Sequence, residues 1–102
     1  VALAMPIKSN RSQQFKKQFR ALPKSIQREA MKAYRLWKEN PGHPSLQFKR
    51  IFSLTWSVRI NENYRALGKW DERGIFWYWI GTHADYDELT KHLKELVKKE
   101  QR

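Results

Sequence analysis

Two arginines six positions apart carry the clearest chemistry in this sequence. Arg59 lies in the run Leu54-Thr55-Trp56-Ser57-Val58-Arg59-Ile60-Asn61. Alternation with period two sends Leu54, Trp56, Val58 and Ile60 to one side of a strand and Thr55, Ser57, Arg59 and Asn61 to the other. Glu62-Asn63 suits a tight turn, and Tyr64-Arg65 opens a second strand. The hairpin therefore sets two guanidiniums on adjoining strands. A guanidinium is permanently charged and presents its donors as a planar fork, which fits it to hold phosphate. His83 stands just past a later strand, and an imidazole there can move a proton near neutral pH. The plainer alternatives are a surface ion pair of either arginine with Glu62 or Asp71, and a helix-capping or solvated role for His83 ahead of Asp85.

Several elements must position these groups. Ile7 can start an edge strand, and Ser9 or Ser12 can cap a helix whose stripe is Phe15, Phe19 and Leu22. Pro23 ends it. A second helix is predicted over Ser25 to Glu39, with Ile26, Ala30, Ala33, Tyr34 and Trp37 on its apolar face. The two helices form a hairpin, and Asn40-Pro41-Gly42-His43-Pro44 breaks the chain after them. Strands are then expected from Leu46 to about Ile51, over 54–61, over 64–70 and from Ile75 to Thr82, the last buried on both faces and interior to the sheet. Asp85 or Asp87 can cap a final helix with Tyr86, Leu89, Leu93, Leu96 and Val97 along one face. Trp37 and Trp56 belong in the core, as does one face of the strand carrying Trp77 and Trp79. The order predicts an α+β domain spanning residues 1–102: a mainly antiparallel four- to five-stranded sheet with an N-terminal helical hairpin and a C-terminal helix.

Composition sets limits on function. The chain of 102 residues carries 21 Lys plus Arg against 10 Asp plus Glu, a formal net charge of +11. The excess is local, since from Lys8 to Lys38 ten basic residues face Glu29 alone, whereas basic and acidic residues balance from Thr82 onward. A polyanion or an acidic protein should therefore meet the N-terminal half and the sheet. With no cysteine there is neither a disulfide frame nor a thiolate metal site. His43, His83 and His92 lack the spacing of metal ligands, and no metal or other cofactor is expected. The run Ile75–Ile80 is too short to span a bilayer and Val1 to Met5 lacks the features of a signal sequence, so a cytoplasmic location without membrane contact is expected.

Trp56-Ser57-Val58-Arg59-Ile60-Asn61-Glu62-Asn63-Tyr64-Arg65, with Trp79-Ile80-Gly81-Thr82-His83 and Tyr86, resembles the RelE/ParE superfamily of toxins from toxin-antitoxin modules, the YoeB branch in particular. The resemblance follows the element order of nearly the whole chain. It implies a metal-independent endoribonuclease that cuts messenger RNA in the translating ribosome and so inhibits translation. In that chemistry the 2'-hydroxyl attacks the adjacent phosphorus, and a cyclic phosphate and a 5'-hydroxyl leave. The resemblance assigns catalysis to Arg65 and His83 and substrate binding to Arg59, Lys49 and Tyr86. Tyr86 also falls on the apolar stripe with Leu89 and Leu93, which gives it a packing role as the alternative. The pattern departs from its relatives in two places: His43-Pro44-Ser45-Leu46-Gln47 holds no glutamate base, and Trp56, Ser57 or Val58 fills the positions where RelE has lysines. Acid and base then fall to His83, His43 or Lys49. The implied partners are a cognate antitoxin, whose acidic or amphipathic segment wraps the sheet face and displaces or covers the last helix, together with the ribosome and its message. Two other outcomes are compatible with the likeness: inhibition of DNA gyrase without nuclease activity, as in the ParE branch, and a degenerate member that keeps only the fold and the antitoxin grip.

Overall fold

Ser12 divides the first strand from the first helix. In the computed structural model, which describes residues 8–100, β1 (Ser9–Arg11) gives way to α1 (Gln13–Arg20) where the Ser12 hydroxyl accepts the Phe15 N–H. Ile7 and Val1–Met5 lie outside the described residues. Pro23, with φ preset for the purpose, stands at the entry to α2 (Lys24–Glu39). After Asn40 the chain makes a short 3-10 turn over Pro44–Leu46, then β2 (Lys49–Phe52), β3 (Thr55–Asn61), β4 (Tyr64–Asp71), β5 (Gly74–Thr82) and α3 (His83–Glu100).

These bounds correct three sequence expectations. Leu46 belongs to the 3-10 turn rather than to β2, because Gln47 turns into left-handed backbone at φ 43° before the strand begins. Leu54 stays out of β3 and is 48% exposed, since Ser53 at φ 48° makes the β2–β3 connection there. Neither Asp85 nor Asp87 caps α3. The Thr82 hydroxyl accepts the Asp85 N–H instead.

The sheet runs β1-β5-β4-β3-β2, with β1 parallel to β5 and every other pairing antiparallel. β5 is interior, as its apolar run requires. On one face, α1 and α2 bury Phe15, Ala30 and Trp37 against Val58, Ala66, Trp77 and Ile80. Trp37 is the hub, with ring centroids 5.5 Å from Phe48 and 5.4 Å from Trp77. Trp56 is only half-buried, contrary to expectation. β3 lies one strand from the sheet edge, and the indole stacks on Phe48 at 4.6 Å. The opposite face holds α3 against β4 and β5, and buries Leu67, Thr55 and Ser57. The three layers make an α+β fold with a mixed, mainly antiparallel sheet. No helix among the described residues is long and apolar enough to cross a membrane.

Beyond the β4–β5 turn the backbone reaches φ +129° at Gly74, a conformation that side-chain-bearing residues rarely adopt. Here a methyl group would also run into the Lys8 carbonyl oxygen, the acceptor of the Ile75 N–H beside β1. Asp71 closes the same turn. Its carboxyl is held below the usual range by the Arg73 N–H and then the Arg73 guanidinium, which lies 3.2 Å away. Gly74→Ala is expected to cost about 2–3 kcal/mol, as left-handed strain and a backbone clash act together. Urea denaturation of the two chains measures it, and a loss below about 1 kcal/mol would contradict the geometry.

Candidate functional site

The arginines meet as the alternation requires. In the β3–β4 register Arg59 lies directly opposite Arg65, so both project from the face away from α1 and α2. Ser57 pairs with Leu67 in the adjacent row of that face, and Lys49 of β2 pairs with Ser57. Lys49, Arg59 and Arg65 thus share one side of the sheet. A β-bulge between Arg59 and Asn61 carries Asn61 to the other side, where its amide donates to Glu29 of α2 at 3.0 Å. Asn61 is therefore not a neighbour of Arg59 on the cationic face, as strict alternation had it.

Backbone hydrogen bonds gather the rest of the site at the same end of the sheet. The His83 N–H donates to the Asn63 carbonyl at 2.7 Å, which pins the start of α3 to the β3–β4 turn. Arg65 folds its Nη1 onto the Asn61 and Tyr64 carbonyls of that turn. Its other N–H groups make no hydrogen bond among the described residues, and neither arginine has an ion pair there. The surface pairs with Glu62 or Asp71 do not form: Asp71 is taken by Arg73. Burial, and next the Arg59 guanidinium, hold the Arg65 pKa below the ordinary arginine value, while Tyr86 and Asp87 act in the opposite sense. Like charges directly opposite on a sheet repel, so a bound anion would relieve the pair.

His83 brings a companion that the sequence reading missed. Its Nδ1 lies 3.0 Å from Oδ2 of Asp87, one helical turn on, so the carboxylate fixes the ring, and Nε2 makes no hydrogen bond among the described residues. The spacing i, i+4 on a helix was the available signal. Tyr86 sits between the two halves of the site, its ring 5.8 Å from His83 and 6.5 Å from Trp79 of β5. It is half-buried, packed by one side and open on the other. His43 does not join them. Its Nδ1 accepts the Ser45 N–H and caps the 3-10 turn. His92 is exposed along α3.

The sheet separates two cationic surfaces. Lys24, Arg28, Lys32, Arg35 and Lys38 are exposed along α2, whereas the arginine pair faces the opposite side with α3. The N-terminal excess and the sheet arginines are back to back rather than one continuous footprint.

The fold is a small, basic three-layer α+β domain. Residues 24–88 match the family model of the ParE-like toxin domain, and the chain belongs to that family. The matched span includes Lys49, Arg59, Arg65, His83 and Tyr86. Among solved structures the chain is similar in fold to YafQ from E. coli strain BL21(DE3), with a TM-score of 0.65 at 15% identity over 78% of this chain and 97% of that one. It is also similar to the RelB-RelE antitoxin-toxin complex from Methanococcus jannaschii, with 0.63 at 13% identity over 78% and 96%. The YoeB/ParE toxin from Agrobacterium tumefaciens gives 0.59 at 13% identity over 76% and 99%. No curated protein sequence matches the chain.

Proposed function

We propose that this protein is the toxin of a toxin-antitoxin module, a metal-independent endoribonuclease that cuts messenger RNA on the ribosome and is neutralised by a small antitoxin protein. The observation that carries the reading is the direct pairing of Arg59 with Arg65 beside His83. Attack of a 2'-hydroxyl on the adjacent phosphorus puts extra charge on the phosphorane oxygens, and the two guanidiniums are placed to take it. His83, held through Nδ1 by Asp87, uses Nε2 to protonate the departing 5'-oxygen, and the 2'-proton passes to solvent. Lys49 holds a flanking phosphate on the same face, and Tyr86 orients a base. The antitoxin partner is supported by the relatives solved as complexes, RelB-RelE and DinJ-YafQ.

Cleavage of a message on programmed ribosomes tests the proposal. His83→Ala is expected to lower the rate about 10²-fold, within the usual range of acid–base catalysis. Asp87→Asn should lower kcat about tenfold with KM unchanged, because it orients the imidazole and touches no RNA. An unchanged kcat would remove Asp87 from the mechanism. The match to a ParE-like model favours a second reading, inhibition of DNA gyrase without RNA cleavage. Gyrase-linked DNA breaks in expressing cells, with messages intact, would decide for it.

A further inference from the structure

β5 departs at one residue from a strand buried on both faces. Ile75 and Trp77 point into the core, 3% and 4% exposed, whereas Phe76 between them turns to the side of Arg59 and Arg65 and is 43% exposed. Its ring stays open because α3 begins at the other end of that face, where Tyr86 meets Trp79. Phe76 pairs with Lys69 of β4 on one flank and with Asn10 of β1 on the other, and both are exposed. With Lys8 and Arg73 they line an open hollow of about 490 Å³. Asp71, the carboxylate lining it, is already held by Arg73 at 3.2 Å. Lys8 and Lys69 therefore set the sign of the hollow.

The hollow shares its sheet face with the arginine pair. Arg65, Leu67 and Lys69 alternate along β4, so Lys69 lies four residues from Arg65, about 13 Å at the rise of a strand. Tyr78 occupies the interval. The β4–β5 register slips between Leu67 and Gly68, and the Tyr78 hydroxyl donates to the Thr55 hydroxyl at 3.3 Å on this face. Cations at both ends with aromatic rings between them suit a single strand of nucleic acid, since bases stack on rings whatever their identity. Of the large apolar residues exposed among the described ones, Phe76 alone lines the hollow. A partner helix needs several such anchors, and a duplex keeps its bases stacked on one another, so neither makes use of a lone ring between lysines. We propose that this hollow is a second RNA subsite: an unstacked base lies on Phe76, the Asn10 amide meets its edge, and Lys8 and Lys69 hold the phosphates beside it. The subsite rests on the nuclease reading for its ligand but takes no part in the chemistry.

Binding of 2'-O-methyl oligoribonucleotides, which offer no nucleophile, to the full chain tests the subsite without cleavage. By fluorescence anisotropy a ten-nucleotide strand should bind about tenfold more tightly than a three-nucleotide one, and Phe76→Ala should erase that gain while leaving the short strand unaffected. Phe76→Trp should keep the gain and Phe76→Leu should lose it, which separates a stacking ring from an apolar filler. Lys8→Ala with Lys69→Ala should lower the salt slope for the long strand by about 1.4, at about 0.7 for each phosphate contact. Arg65→Ala should weaken both lengths, so that loss at the arginine pair and loss at the hollow are read separately. Messages left intact on ribosomes, together with a length gain that depends on Phe76, would end the nuclease reading and leave the subsite. Normal cleavage with no such gain would end the subsite alone. It is also overturned if Phe76→Ala weakens both lengths equally, if Phe76→Leu binds as the parent does, or if duplex DNA shows the same dependence on Phe76.

Discussion

Arg65→Ala is expected to lower message cleavage by a factor of about 10²–10³, the usual loss when one preorganised donor to a developing oxyanion is removed. The size follows from placement. Arg65 projects from β4 directly opposite Arg59, and part of its fork is free while Nη1 is fixed by two turn carbonyls. A donor held by backbone needs little rearrangement when charge appears on phosphorus. Arg65→Lys keeps a charge but not the fork, and should recover only a small part of the rate. Because the two guanidiniums repel each other, removing one should leave the melting temperature within a few degrees, which separates chemistry from folding. Lys98→Ala, on the exposed end of α3, is the control and should cleave as the parent does. Full activity in Arg65→Ala would end the nuclease reading, whatever the fate of the fold.

Trp37→Ala should cost about 3–5 kcal/mol of folding free energy, the range for truncating a large buried aromatic. The indole is 1% exposed and packs edge-on against Phe48, Trp70 and Trp77 at centroid distances of 5.5, 6.0 and 5.4 Å. Its loss therefore enlarges a space already present beside it and unseats α2 from the sheet. Against a typical total of about 5–15 kcal/mol, such a change leaves the chain marginal. Trp37→Phe should cost much less, since it keeps a ring and deletes the unpaired N–H. Denaturant titrations of both variants check the order. Equal losses would mean that the indole itself, and not the presence of a ring, decides the packing.

Much of this architecture was legible because burial on one sheet face forbids slippage. A register shift of one residue would drive Arg59 into the core and Val58 to the cationic side, so period two in 55–59 was a strong guide. Ser12 was legible for a local reason: its capping bond needs only the next turn. What escaped depends on contacts between distant segments or on single backbone angles. Gln47 and Ser53 adopt left-handed conformations without being glycine, and no alternation of side chains reveals that. The bulge after Arg59 turned Asn61 to Glu29, a partner 32 residues earlier in the chain. At the candidate site, the facing of Arg59 and Arg65 was readable from the alternation and the turn between them. Asp87 was not, because an aspartate at the start of a helix reads first as a cap, and Thr82 had already filled that role.

The parallel pairing of β1 with β5 sets a kinetic order. β2 through β5 form a meander whose neighbours in the sheet are neighbours in the chain, whereas Ser9 pairs with Ile75, far along the chain on the other side of both helices and three strands. Closing so long a loop is entropically expensive until the meander exists to receive it. β1 therefore docks late. Weakening it should accelerate unfolding far more than it slows folding, so the N-terminal edge governs how long the native state lasts rather than how quickly it is reached.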